Sequence, residues 1–313
     1  MIILTGASGF LGTHLVNRIG NDKLILVNRT SLKDNAYIKD INSHTNYNDL
    51  LCGVNCIIHS AARVHVMNDN SENPLDDYRE VNTKGTLNLA RQGVAAGVKR
   101  FIFISSIKVN GESTKLNKPF KSTDDRRPED FYGQSKAEAE VQLLQLAEET
   151  GLEVVIIRPT LVYGPSVKAN FASLMNLVSK GLPLPFGFLT NNKRSLVSVN
   201  NLVDLIITCI AHPKAANQVF LVSDDHDVST SEMVREMAKS LNKPQWQIPI
   251  PKWSYRLAGS VFGKQDTVDR LLDSLQVDIT HTKKTLGWKP PQTLEDGFKE
   301  TAEAFLSNKE NKQ

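Results

Sequence analysis

The chain has 313 residues, 40% hydrophobic and 23% charged, with 37 basic against 34 acidic side chains and a net charge of +3. This is the profile of a globular protein able to bury one large core or two modest ones, and its scattered cations form no nucleic-acid stripe. Cys52, Cys56 and Cys209 make neither a disulfide framework nor a zinc spacing, so no metal is expected. No apolar run reaches the ~20 residues of a bilayer span, and we expect a cytoplasmic protein without membrane insertion.

Residues 1–6, "MIILTG", form a short apolar strand broken by glycine, and 10–20 have helical spacing. The run "KLILVNR" at 23–29 is a second strand, followed by "NCIIHSAA" at 55–62 and "VKRFIFISS" at 98–106, with a helix over 76–97 between the last two. A helix at 134–151 and the strand "LEVVIIRP" at 152–159 complete the pattern. Wholly apolar strands alternating with amphipathic helices predict an α/β fold of Rossmann type, a doubly wound parallel sheet covered on both faces. Residues 160–171 and 181–195 are rich in Gly, Pro and Asn and read as loops around a site. Helix at 199–213 and strand at 218–224 rejoin the sheet, and a helix at 230–242 opens a helical, loop-rich remainder. The expected division is a dinucleotide-binding domain of residues 1–164 plus about 196–224. A smaller C-terminal substrate-binding lobe takes about 165–195 plus 225–305, and a polar tail takes 306–313.

In "TGASGFLG", Gly6, Gly9 and Gly12 lie between the first strand and its helix. Glycines there allow a tight turn and close backbone approach to a pyrophosphate, at which the helix N-terminus points. "FYGQSKAEAE" places Tyr132 and Lys136 four residues apart on one helix face, where an ammonium is expected to lower the pKa of the phenol. Ser105 and Ser106 close an apolar strand at the sheet edge where ligands bind, so a hydroxyl there can hold the same substrate oxygen as Tyr132.

With "IIHSAA", "VNTKGTLNL", "IIRPTLVYGP", "RSLVSVNNLVDLI" and "LGWKPP", these motifs resemble the extended short-chain dehydrogenases/reductases, the NAD-dependent epimerase/dehydratase family, over nearly the whole chain. The resemblance implies that Tyr132 is the acid/base, that Lys136 also holds the nicotinamide ribose, and that Ser106 binds the reacting oxygen. It implies cofactor contacts at Gly6, Ser8, Gly9, Phe10, Leu11, Gly12, Asn28, Arg29, Asp40, Ile41, Ser60, Ala61, Ala62, Asn82, Tyr132, Lys136, Pro159 and Val162. For a UDP-sugar substrate it implies Arg194 and Asn170 at the diphosphate, Phe186 near the base and Arg270 as a second cation. Lys108 stands at a normally small position near the sugar, where it either meets substrate or snorkels to solvent, and Asn110 replaces an aromatic.

Relatives that are epimerases usually end the second strand in an acid that binds the ribose hydroxyls. Here Asn28 and Arg29 stand in its place, which suits a 2′-phosphate and favours NADP(H), with NAD(H) possible. The short connection from Arg29 to Asp40–Ile41 suits an exchanging cofactor. Both features favour a UDP-4-keto-6-deoxy-N-acetylhexosamine 4-reductase of the kind found in bacterial surface-polysaccharide synthesis. The alternative is a UDP-sugar 4-epimerase with tightly bound NAD. A dehydratase is disfavoured because "SSIKVNG" offers no Asp–Glu pair, and a non-catalytic NADP(H)-binding regulator because Tyr132 and Lys136 are both present. The resemblance also implies a homodimer formed through a four-helix bundle.

Overall fold

The apolar runs become the strands of one parallel sheet. The structure, a computed structural model, describes residues 1–29, 36–64, 73–167, 169–263 and 265–310. In chain order come β1 (Ile2–Thr5), α1 (Phe10–Ile19), β2 (Leu24–Asn28), β3 (Ala36–Ile38) and β4 (Cys56–His59), then α2 (Pro74–Arg79) and α3 (Thr86–Ala95). β5 (Arg100–Ile104), α4 (Phe131–Thr150), β6 (Glu153–Pro159), β7 (Leu161–Tyr163) and α5 (Ala169–Ser179) follow. The remainder is β8 (Arg194–Ser198), α6 (Val199–Ala211), β9 (Gln218–Val222), β10 (Asp227–Val228), α7 (Thr230–Ser240), α8 (Lys252–Val261), α9 (Gln265–Leu272), α10 (Thr280–Leu286) and α11 (Leu294–Glu310).

Seven strands pair in parallel in the order β3-β2-β1-β4-β5-β6-β9. Winding reverses between β1 and β4, which opens a crevice at their C-terminal ends, the place where such sheets bind ligands. Period-2 alternation feeds both faces. Ile3, Val27, Ile57 and Phe101 join Leu87 and Leu143 in one core, while Leu4, Leu26, Ile58 and Ile102 join Leu15 and Leu205 in another.

Residues 160–195 are more ordered than their composition predicts. β7, β8 and β10 form a second sheet, and α5 covers a third core of Tyr163, Phe171, Met175, Met233, Met237 and Phe298. Tyr163 pins this region to the main sheet, its hydroxyl donating to Asp224 Oδ2 at 2.8 Å, while Asp224 Oδ1 accepts from Ser198 N at 2.8 Å. β7 and β10 carry only three and two residues, too few for a periodic signal. The expected helix at 76–97 is interrupted by a π-helical stretch at Glu80–Gly85. α11 carries helix into the expected polar tail as far as Glu310.

His59 at the end of β4 is fully buried, held between the hydroxyls of Thr5 (2.8 Å) and Thr86 (3.0 Å) and stacked on Phe103. Burial, helped by the Lys136 charge, pushes its imidazole from 6.5 down to about 3. Unfolding lets it take up a proton near pH 6.5, so stability is lost as pH falls from there towards 3, by about 1.4 kcal/mol per pH unit. Urea midpoints at pH 7 and pH 5 should show this loss, and His59→Gln should shrink it.

Candidate active site

The glycine turn is built by close approach. Gly6 has φ +73°, and a Cβ on it would meet Ala61 N at 2.8 Å; one on Gly12 would lie 2.1 Å from the Gly6 carbonyl oxygen. Gly6 N donates to Val27 O and Gly9 N to Gly6 O, so the turn closes on itself. Ser8 and Gly9 are exposed, Phe10 and Leu11 half-buried, and no side chain caps α1 at Gly9. The first N–H groups of α1 are thus without a capping side chain and suited to a pyrophosphate. Gly12→Ala has only backbone to displace, so it should cost about 3 kcal/mol or more. Thermal unfolding and the cofactor retained on purification would measure the loss.

Asn28 is 3% exposed; its Oδ1 accepts from Ser8 N at 3.0 Å, and its Nδ2 has no partner among the described residues. A buried amide with an orphaned donor beside the phosphate turn fits a dinucleotide whose ribose oxygen accepts from it. Arg29 is exposed immediately after β2. Asp40 follows β3, its carbonyl accepting from Thr45 and Tyr47, while Ile41 is core. Ser60 Oγ donates to Thr5 O, which places Ser60–Ala61 under the turn, with Ala62 half-buried beyond them. Asn82, fully buried in the π-helical stretch, spends its amide on the backbone of Arg63 and on Ser135 Oγ. Pro159 ends β6 against Val222, and Val162 packs from β7 onto the core.

Tyr132 and Lys136 occupy the first turns of α4, capped by Asp130, whose Oδ1 accepts from Gly133 N at 2.6 Å. Gly133 is required there because a Cβ would sit 2.8 Å from the Lys108 carbonyl. Lys136 is 1% exposed, donates to Ile104 O at 2.9 Å, and lies 4.4 Å over the Phe103 ring and 6.0 Å from the Tyr132 ring centre. Burial pushes its ammonium down to about 7, with Glu140 pulling the other way. The expected lowering of the Tyr132 pKa is not found: burial and Asp130 hold the phenol above its ordinary value, and only the Ser106 hydroxyl favours the phenolate. Desolvation outweighs an ammonium already tied to a carbonyl.

The two serines divide. Ser105 is buried and donates to Glu140 Oε1 at 2.6 Å, whereas Ser106 is half-exposed and faces the tyrosine. Glu140, which motif reading missed, is the hub beneath the site. Its carboxylate is fully buried and also accepts from Arg158 Nε (2.8 Å) and Nη2 (2.5 Å) and Arg126 Nε (2.9 Å), and Arg158 reaches Asn110 Oδ1 (2.9 Å). β5, α4, β6 and the loop before α4 therefore meet on one side chain. The available signal was an acid four residues past Lys136, on the helix face that bears the chemistry.

On the substrate side, Lys108 neither snorkels nor stands free: its Nζ is paired with Glu112 Oε1 at 2.5 Å and Asp130 Oδ2 at 2.6 Å. Arg194 Nη1 donates to the carbonyls of Arg270 (2.8 Å) and Asp273 (3.2 Å), which brings the two expected cations together. Burial lowers the Arg194 pKa, and Glu112 lies close enough to favour its charged form. Phe186 is 6% exposed inside the third core, not in an open slot. Asn170 stands at the start of α5, but its side chain is outside the described residues. No cluster of three metal-ligating side chains occurs among the described residues.

A phosphate turn at the switch point of a parallel sheet, with Ser106, Tyr132 and Lys136 at its C-terminal edge, defines a dinucleotide-dependent enzyme of Rossmann type. The chain belongs to the NAD dependent epimerase/dehydratase family, whose model matches residues 2–223. It is 62% identical over 312 residues to a UDP-glucose 4-epimerase of Vibrio cholerae, covering 97% of this chain and 95% of that one. It is 28% identical to an N-acetyl-alpha-D-glucosaminyl-diphospho-ditrans,octacis-undecaprenol 4-epimerase of Escherichia coli O157:H7, over 96% and 93% of the two chains. The UDP-glucose 4-epimerase of Thermotoga maritima, solved with UDP-glucose, shares the fold at a TM-score of 0.76 and 24% identity, over 98% of this chain and 99% of that one. These findings favour the 4-epimerase alternative over the 4-reductase that the sequence reading placed first.

Proposed function

We propose that the protein is a UDP-hexose 4-epimerase acting with NAD. The observation that carries this reading is the 62% identity, along nearly the full length of both chains, with an epimerase of that description. The family is NAD-dependent, and Asn28 offers a neutral donor to the adenosine ribose, so NAD replaces NADP(H) in our reading; Arg29 then stays a surface residue. Cofactor released from the purified protein by denaturation should be NAD, and recovery of NADP alone would reverse this assignment.

In the proposed mechanism Tyr132 takes the proton of the sugar 4-hydroxyl on its phenol oxygen and later returns it. Ser106 hydrogen-bonds the same sugar oxygen and, through its contact with the phenol, favours the phenolate. A nicotinamide held beside Tyr132 and Lys136 would supply the reversible hydride chemistry at C4. Lys136, fixed on Ile104 O, keeps a cation behind Tyr132, while Arg194 and Arg270 receive the diphosphate. Lys108, paired with Asp130, holds the start of α4 beneath the sugar. In this reading residues 1–164 plus about 196–224 bind the dinucleotide, and about 165–195 plus 225–305 bind the UDP-sugar. A cytoplasmic homodimer through α3 and α4 fits Val141, 50% exposed on α4. Incubation with UDP-glucose and, separately, UDP-N-acetylglucosamine, without added reductant, should yield the C4 epimer of at least one; failure with both sinks the proposal.

A further inference from the structure

The C-terminal helical part exposes an apolar face unrelated to the reaction. On α8, Trp253 (68% exposed), Leu257 (58%) and Val261 (70%) form a stripe at four-residue spacing, extended by Phe262 (74%). The opposite side of α8 packs on α9, where a Cβ on Gly259 would meet Val268 Cγ2 at 2.8 Å. Just before α8, the backbone at Trp246 and Ile248 is hydrogen-bonded to Leu184 and Gly187, yet the side chains of Trp246 (67%) and Ile248 (47%) stand in solvent. A soluble surface rarely carries so many large apolar side chains together.

The charge around this face selects its partner. From Lys243 to Gly263 the sequence holds Lys243, Lys252 and Arg256 and no carboxylate, although the whole chain is nearly balanced at +3. Lys252 and Arg256 lie on α8 beside the stripe and are exposed. A helix with one apolar, Trp-bearing face flanked by cations is suited to lie in a lipid headgroup layer, with its tryptophans at the interface and its cations on anionic headgroups. A second copy of this chain would bring the same cations face to face. The homodimer proposed above uses α3 and α4 and leaves α8 uncovered. α9, on which α8 packs, carries Arg270, so the face adjoins the proposed diphosphate site.

We propose that the α8 stripe, with Trp246 and Ile248, is a peripheral docking surface for an anionic lipid bilayer. The docking is independent of the reaction assigned to the active site. The test is co-sedimentation of the full chain with vesicles of phosphatidylcholine alone and of phosphatidylcholine mixed with phosphatidylglycerol. Binding to the anionic vesicles only, weakened by salt, is expected. Two of the three tryptophans, Trp246 and Trp253, are in the patch and the third, Trp288, is buried, so the fluorescence should shift to the blue on binding. Trp253→Ser/Leu257→Ser, with unchanged far-ultraviolet circular dichroism, should weaken vesicle binding about tenfold or more and leave epimerase turnover in solution unchanged. No binding to anionic vesicles, equal binding to neutral ones, or full binding by the double variant would overturn the proposal. So would a double variant whose only change is a smaller assembly in sedimentation, since the face would then join copies of the chain.

Discussion

Tyr132→Phe is expected to lower kcat about 10³-fold while leaving KM within a few-fold and cofactor retention intact. The reason is geometric: the substitution removes only the phenol oxygen from a helix whose cap, Asp130, and whose lysine, Lys136, hold their partners without it. Steady-state kinetics beside a measure of bound nucleotide separates lost chemistry from lost binding. Turnover within tenfold of wild type would mean that another group moves the proton. Ser106→Ala should give a smaller loss, because its hydroxyl only assists the same oxygen.

The second large effect is predicted at Glu140. Glu140→Gln leaves Arg158, 1% exposed, facing an amide in place of a carboxylate, at an expected cost of about 3–5 kcal/mol. Urea unfolding should register that loss, and Glu140→Leu/Arg158→Met, which removes both charges, should recover much of it. A kinetic signature separates positioning from stability alone. Glu140 is the group that favours the charged form of Lys136, so its loss should move the alkaline limb of the pH–rate profile to lower pH. An unchanged profile would restrict Glu140 to a structural role.

The dinucleotide half was legible because its elements are long and regular. Apolar runs such as "FIFIS" can only be buried strands, and glycines at a strand–helix junction have few other uses. Chain order and helix spacing single out Tyr132, Lys136 and Ser106 as candidates, and the structure brings the three together. Other features depend on contacts between residues far apart in the chain. Glu140 with Arg158, and Tyr163 with Asp224, pair across 18 and 61 residues and leave no local pattern. The pKa of Tyr132 also eluded spacing, because Lys136 is spent on Ile104 O and burial governs the phenol. Asn28 and Arg29 were expected at the cofactor's ribose end, and the weight given to the Arg29 charge pointed to the reductase. The buried amide, whose Nδ2 has no partner among the described residues, would suit a plain ribose as well, and the comparisons favour the epimerase.

The central claim is that hydride leaves and returns to the same sugar carbon within one active site. UDP-glucose deuterated at C4, incubated with the purified protein and no added reductant, should give UDP-galactose that keeps its deuterium at C4. Label lost to water, or hydride taken instead from added NADPH with its net consumption, would contradict it.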